Sequence, residues 1–166
     1  MTETGWMQRF EQLYAEHADA ISAYVRRRAP EDAVDDVVSD VFLVCWRRLD
    51  DVPENALPWL YAVARNTLAN ERRRRGRQHY VSVDIAYAPE PAGDSALAAA
   101  FAELSDRDRE VLRLVAWEGL SLRDAAVVLD CSAVACRVRY HRAKSRLAAR
   151  LGAVASFRPQ PKEVTR

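Results

Sequence analysis

The sequence predicts an all-α chain folded as two small helical domains on a flexible linker. Three observations carry that reading. Apolar residues recur at steps of three and four along every long segment, the spacing of one helical face. Val81, Val83 and Ile85 alternate, but no second strand-like segment is available to pair with them, so no sheet is expected. The stretch Gln78–Asp94 holds Pro89 and Pro91 and no sustained period, which marks the boundary between the halves. A length of 166 residues, 49% of them hydrophobic, allows one or two packed cores.

Trp6–Arg28 reads as a helix or a helix pair, with Phe10, Leu13, Tyr14, Ala18, Ile21, Tyr24 and Val25 on its apolar stripe. Arg26, Arg27 and Arg28 lie at its end, where cations suit the C-terminal dipole, and Ala29–Pro30 stops it. Asp32–Leu49 is the next helix. Its Val34, Val37, Val38, Val41, Phe42, Cys45 and Trp46 form a broad apolar face. Asp32, Asp35, Asp36 and Asp40 lie on or beside the opposite face. Carboxylates at i, i+4 and i+8 on a rigid helix are too far apart for one cation, so a solvated face or a dock for a basic partner is expected there.

Asp50–Pro58 reads as a loop, and Trp59 opens a helix that runs to the arginine cluster. Leu60, Val63, Ala64, Thr67, Leu68 and Glu71 mark its inner face. Arg65, Asn66, Asn70, Arg72, Arg73, Arg74 and Arg75 are polar or cationic. A solvated helix end is the ordinary reading of such a run. Two Asn one turn apart beside four Arg favour nucleic acid, because Asn suits base edges and Arg suits phosphates. Beyond the linker, Leu97, Ala100, Phe101 and Leu104 form one stripe. Ser105 is an N-cap for the next helix, which buries Val111, Leu112, Leu114 and Val115 and ends at Gly119.

Leu120–Leu147 then reads as two short helices and a tight turn. Ser121 caps the first, whose apolar face is Leu122, Ala125, Ala126 and Leu129. Asp130–Cys131 breaks the pattern and Ser132 caps the second. There Cys136, Tyr140, Ala143 and Leu147 share one stripe, while Arg137, Arg139, His141, Arg142, Lys144 and Arg146 surround it. No acid occurs between Cys131 and Arg150. A helix with one buried stripe and an otherwise cationic surface suits the major groove, so this is read as a helix-turn-helix rather than a solvated basic helix. After Gly152 no pattern remains, and a mobile tail is expected over 153–166.

The net charge of +1 says little, but its distribution says more. Met1–Ala64 carries six Arg against twelve Asp and Glu, whereas Arg65–Arg77 carries six Arg against Glu71 alone. Such a chain is expected to touch two kinds of surface. Cys45, Cys131 and Cys136 have neither zinc-site nor disulfide-framework spacing, so free thiols in a reducing cytosol are expected. The N-terminus lacks the apolar core of a signal peptide, and no apolar run approaches a membrane span. A cytoplasmic protein with no membrane insertion, no metal and no cofactor is expected.

Three stretches in this order resemble one family. Val34–Arg48, VDDVVSDVFLVCWRR, resembles region 2.2 of the extracytoplasmic-function (ECF) sigma factors, the smallest group of the bacterial sigma-factor superfamily. Trp59–Arg75, WLYAVARNTLANERRRR, resembles their regions 2.3 and 2.4, and Leu104–Leu147 resembles region 4. The likeness runs from about Phe10 to Leu151. It implies a non-enzymatic RNA polymerase subunit with region 2 over residues 1–77, a linker over 78–94 and region 4 over 95–152. Asp35, Asp36, Asp40 and Trp46 would dock on the β′ coiled coil of the polymerase core, which also offers its β subunit. Asp50–Pro58 would capture an unstacked base of the −10 promoter element, with Arg65, Asn66, Asn70 and Arg72 to Arg75 holding that strand. The last helix would read the −35 element as duplex, with Arg137, Val138, His141 and Arg142 at bases or groove and Arg139, Lys144 and Arg146 at phosphates. An anti-sigma factor is the implied brake.

The chain departs from the family where Asp35 and Asp40 stand for the usual Glu and Asp130 for the usual Gly of the turn. Val134 and Ala135 replace a Gly and a Thr that often approach the DNA backbone. The alternative reading is a helix-turn-helix regulator that binds duplex DNA without joining the polymerase. A metal-dependent nuclease is a remote third, because the Asp cluster lacks ligand geometry.

Overall fold

The structure is a computed structural model that describes residues 3–78 and 95–156. Seven α-helices and one 3₁₀ turn account for these residues, with no strand among them. The expected linker, beyond Gln78, lies outside the described residues, as does the end of the chain after Ser156.

Helix α1, Glu3–Arg26, is one helix and not a pair. No Gly or Pro interrupts the chain between Gly5 and Pro30, so nothing breaks the hydrogen-bond ladder. Helix α2, Glu31–Arg47, starts directly after Pro30, with Glu31 and Asp32 at its positive N-terminal end. The segment read as a loop is more ordered than expected. A 3₁₀ turn spans Leu49–Asp51, pinned by buried Leu49 and Val52. Helix α3, Ala56–Gln78, begins three residues before Trp59. Pro58 falls in its first turn, where the missing N–H breaks no helical bond. Helices α1, α2 and α3 pack on one another around Ile21, Val25, Val37, Val41, Leu60 and Ala64.

The second half is α4, Ser95–Ala102, α5, Asp106–Ala116, α6, Leu122–Val128, and α7, Ala133–Ser156. All three expected N-caps form. Ser105 Oγ accepts from the Asp108 amide at 3.2 Å, Ser121 Oγ from Asp124 at 3.1 Å, and Ser132 Oγ from Ala135 at 3.1 Å. Gly119 after α5 takes φ +66°, a left-handed conformation that suits glycine. Asp130 in the turn between α6 and α7 takes φ +50°, a left-handed conformation that glycine adopts more easily. The end of α7 corrects the sequence reading. The helix continues through Gly152 to Ser156 instead of giving way to a tail at residue 153. Arg146 pairs with Asp108 of α5 and Arg150 with Glu103, so the long helix is tied down along its length.

The two halves also pack against each other. Helix α6 lies along α3, and the buried residues of both halves form one contiguous cluster. Asn55 Nδ2 donates to Asp124 Oδ1 at 3.3 Å across this contact. The turn after α1 contributes Arg27 and Arg28 to carboxylates of the second half.

The left-handed turn gives a direct test. Asp130→Val should lower stability by about 1–2 kcal/mol, because a β-branched side chain is strained at positive φ. Asp130→Gly should be tolerated. Urea midpoints of the two variants at equal m-value provide the measurement.

Candidate nucleic-acid interface

Helix α7 turns one stripe inward, with Cys136 and Ala143 fully buried and Tyr140 and Leu147 half-buried. The rest of its first half faces outward. Arg137, Val138, His141, Arg142, Lys144 and Arg146 are exposed and Arg139 is half-buried. Arg137, Arg142 and Lys144 have no ion-pair or hydrogen-bond partner among the described residues. Arg146 differs, since its guanidinium meets the buried carboxylate of Asp108 and braces α7 on α5. Val134 is 72% exposed at the start of the helix, one turn before the exposed Val138. Unpaired guanidinium groups on a rigid helix are suited to phosphates and to the O6/N7 edge of guanine.

Helix α3 presents a second cationic surface with a different internal order. Arg65 and Asn66 are exposed and without side-chain partners among the described residues. Farther along, the cations are partnered. Arg73 donates to Asn70 Oδ1, and Arg72 Nη2 donates to the carbonyl of Arg28 at 3.2 Å. Arg75 bonds Glu71 at 2.8 Å and reaches Asp32 of α2 at 3.1 Å, while Arg74 meets the other oxygen of Glu71 at 2.9 Å. Hydrogen bonds from Arg75 hold the Glu71 carboxyl below the usual carboxylate range, against the opposing effect of burial. Glu71, read from the sequence as an inner-face residue, thus sets the direction of two arginines.

The segment before α3 walls a cleft of about 390 Å³, with Arg9, Glu16 and His17 of α1 on one side and Pro53, Glu54 and Asn55 on the other. Arg9 Nη2 donates to the carbonyl of Val52 at 2.7 Å and fixes the approach of this segment to α1.

A third surface lies on α1 and α2. Asp35, Asp36 and Asp40 are exposed. Trp46 is 40% exposed and packs edge-on against Phe10, with centroids 5.2 Å apart. Tyr14 lies 4.7 Å from Phe42, and Met7, Tyr14 and Leu43 are exposed as well. The sequence reading assigned Tyr14 to the core and passed over Met7 and Leu43. A signal existed for Leu43. It stands three residues after Asp40 and seven after Asp36, so it is an apolar residue on the acidic side of the helix. Apolar surface rimmed by carboxylates fits a protein partner with a basic face. Arg27, Arg28, Glu110 and Glu118 were also missed as a group, because their pairings join residues 82 to 91 positions apart.

All three cysteines are free. Burial pushes the Cys45 and Cys136 thiols up from their ordinary value, and for Cys136 the neighbouring Cys131 adds to the effect.

These surfaces belong to a known pair of domains. The family pattern described as Sigma-70 region 2 matches residues 13–78, and that described as Sigma-70, region 4 matches residues 94–147. The RNA polymerase sigma factor NccH of Alcaligenes xylosoxydans xylosoxydans is 31% identical over 86% of this chain and 86% of its own. CnrH of Cupriavidus metallidurans is 33% identical over 90% of each chain. The ECF sigma factor SigL of Mycobacterium tuberculosis is 30% identical over 78% of this chain and 81% of its own. Among solved structures, CnrH in complex with the cytosolic domain of CnrY superposes with a TM-score of 0.61 at 30% identity, covering 87% of this chain and 88% of that one. The fold also matches a Bartonella quintana sigma factor, RpoE, solved with the anti-sigma factor NepR. There the TM-score is 0.63 at 24% identity, over 86% of this chain and 96% of that one. Together the two domains and these relatives define a transcription initiation factor and not an enzyme. The chain belongs to the ECF group of RNA polymerase sigma factors in the sigma-70 family. No helix among the described residues is long and apolar enough to cross a membrane.

Thiol reactivity should follow burial. Iodoacetamide at pH 8 should modify half-buried Cys131 first and reach Cys45 and Cys136 only when the protein is unfolded. Peptide mass mapping reads the order, and early labelling of Cys136 would contradict this packing of the turn.

Proposed function

We propose that this chain binds core RNA polymerase in the cytoplasm and directs it to promoters carrying −35 and −10 elements. The observation that carries the reading is the separation of three surfaces on one small chain. An acidic, aromatic face lies on α1 and α2, a cationic Asn- and Arg-bearing face on α3, and on α7 a cationic face whose Arg137, Arg142 and Lys144 lack acidic partners among the described residues. Asp35, Asp36, Asp40 and Trp46, joined by Leu43, dock on the basic coiled coil of β′. The β subunit is the other part of the core that this chain meets. Arg137, Val138, His141 and Arg142 read the −35 duplex, with Arg139 and Lys144 at phosphates and Arg146 shared with Asp108. Arg65, Asn66 and Asn70 hold the melted −10 strand with Arg72 to Arg75, and the cleft beside Pro53–Asn55 receives an unstacked base. Binding energy drives each step, and no bond chemistry is required. The pairing of CnrH with the cytosolic domain of CnrY supports a protein partner of the anti-sigma kind that covers these faces.

The experiment that tests the reading is run-off transcription with purified core polymerase on a genomic promoter library. Initiation dependent on this protein is expected, and its absence on every promoter would sink the proposal. Asp36→Arg should abolish core binding in a pull-down while circular dichroism stays unchanged. Arg137→Ala or Arg142→Ala should weaken −35-dependent initiation by about 1–3 kcal/mol per lost base contact. An equal loss on scrambled −35 sequences would reassign that residue to phosphate.

A further inference from the structure

Most of the outward surface of α7 is charged, but the line farthest from the protein body is not. The inward stripe of the helix is Cys136, Tyr140, Ala143 and Leu147. At about 3.6 residues per turn the opposite line starts at Val134 and runs through Val138, His141 and Ser145. Val134 is 72% exposed and Val138 42%. The first turn of α7 offers no polar side chain to a partner. Ala133, Val134 and Ala135 are all exposed there, and the hydroxyl of the capping Ser132 is engaged by the Ala135 amide at 3.1 Å. Arg137 flanks the line on one side and Arg142 on the other, both exposed and without a carboxylate in reach among the described residues.

A single exposed valine is ordinary on a protein surface. Two of them in line on the crest of one helix are harder to account for by folding alone. A β-branched side chain is a poorer helix former than alanine or arginine, and at these two positions little burial offsets that loss. Their position points to a contact made only in a complex, and the unpaired arginines on both flanks make that partner an anion.

We propose that Val134 and Val138 are specificity-determining residues that read the C5-methyl groups of two thymines in the major groove of the −35 element. The inference rests on the proposed reading of duplex DNA by α7 and names what that reading selects. A recognition helix brings its N-terminal residues to the base edges, and Val134 is the second residue of α7, with Val138 one turn on. In the major groove adenine, guanine and cytosine present donors and acceptors, and thymine alone adds a methyl group. Valine has neither donor nor acceptor. Set against another base it strips water from polar groups and returns no hydrogen bond, whereas against thymine it buries methyl on methyl. Arg137 and Arg142 hold the helix to phosphates or guanine edges, so the valines supply selectivity more than affinity. Four residues of helix rise about 6 Å and a base pair about 3.4 Å, which places the two thymines about two base pairs apart.

The test uses the full-length protein with core polymerase. Starting from a promoter that the wild-type protein uses, the −35 element is randomised and each template is barcoded in its transcript. Thymine should be preferred at two positions about two base pairs apart. Val134→Ala and Val138→Ala should each level the preference at one of them, while Val134→Thr and Val138→Thr, which keep a methyl group, should retain it. Deoxyuridine in place of each thymine then removes the methyl alone. It should lower wild-type initiation about fourfold per position, as expected for one methyl group taken out of water, and leave the matching Val→Ala variant unaffected. A valine variant that loses activity equally on all −35 sequences would be a backbone contact and overturns the proposal. A deoxyuridine effect equal in wild type and variants belongs to duplex shape and overturns it as well. Failure of the promoter reading itself would appear separately, as absent run-off transcription by the wild-type protein, and would remove the thymine reading with it.

Discussion

Arg28 carries a permanent charge into the interior of this protein, and much of the arrangement of its two halves follows from how that charge is met. An isolated guanidinium in apolar surroundings is untenable, and removing one partner of such a pair costs about 3–5 kcal/mol. Here the compensation is drawn from the far half of the chain, through Glu110 of α5 and Glu118 just after it. The same residue is bound to its own half by Tyr24 and by Arg72, which donates to its carbonyl. Burial, and next the Glu110 carboxylate, push the Tyr24 hydroxyl far above the usual range, so it remains a donor at any working pH. Tyr24 also packs on Tyr61 at 4.9 Å, which joins the charged cluster to the core of α3.

A single criterion then sorts the many arginines. A cation with a carboxylate in reach is held in a fixed direction by it. Arg146 and Arg150 hold α7 to the helices beneath it, and Arg74 and Arg75 are aligned by Glu71. A cation without one stays uncompensated among the described residues, as Arg137, Arg142 and Lys144 are on α7 and Arg65 is on α3. Charge density alone does not draw this line. Both helices look uniformly basic in the sequence, and only the positions of Asp108, Glu103, Glu71 and Asp32 distinguish their members.

The acidic face follows the same logic with apolar groups. Phe10, Tyr14 and Trp46 stay partly open where they make edge and tilted contacts with one another and with buried Phe42, and Asp35, Asp36 and Asp40 stand on the same pair of helices. The resemblance to region 2.2 singled out Trp46, while helical periodicity set the carboxylates on the outer face and Trp46 on the apolar one. Periodicity placed Tyr14 on the apolar stripe too, because its spacing is correct, although the width of the stripe exceeds what the facing helix covers.

Local physics made most of the fold legible. Serine caps at Ser105, Ser121 and Ser132, the left-handed demand at Asp130 and the inward stripe of Cys136 and Ala143 depend on residues within a few positions of one another. The sequence by itself therefore determined the helices, the helix-turn-helix and the segregation of charge. Helix limits were less legible where they depend on what lies beneath them. Ala56 starts α3 early because Leu49 and Val52 anchor the preceding turn, and α7 outruns Gly152 because a single glycine costs only about 1 kcal/mol in a helix. What only the tertiary structure decided is which charges meet. Arg27 and Arg28 read as ordinary helix-end cations, since their partners lie more than eighty residues away and no periodicity reports a contact over that distance.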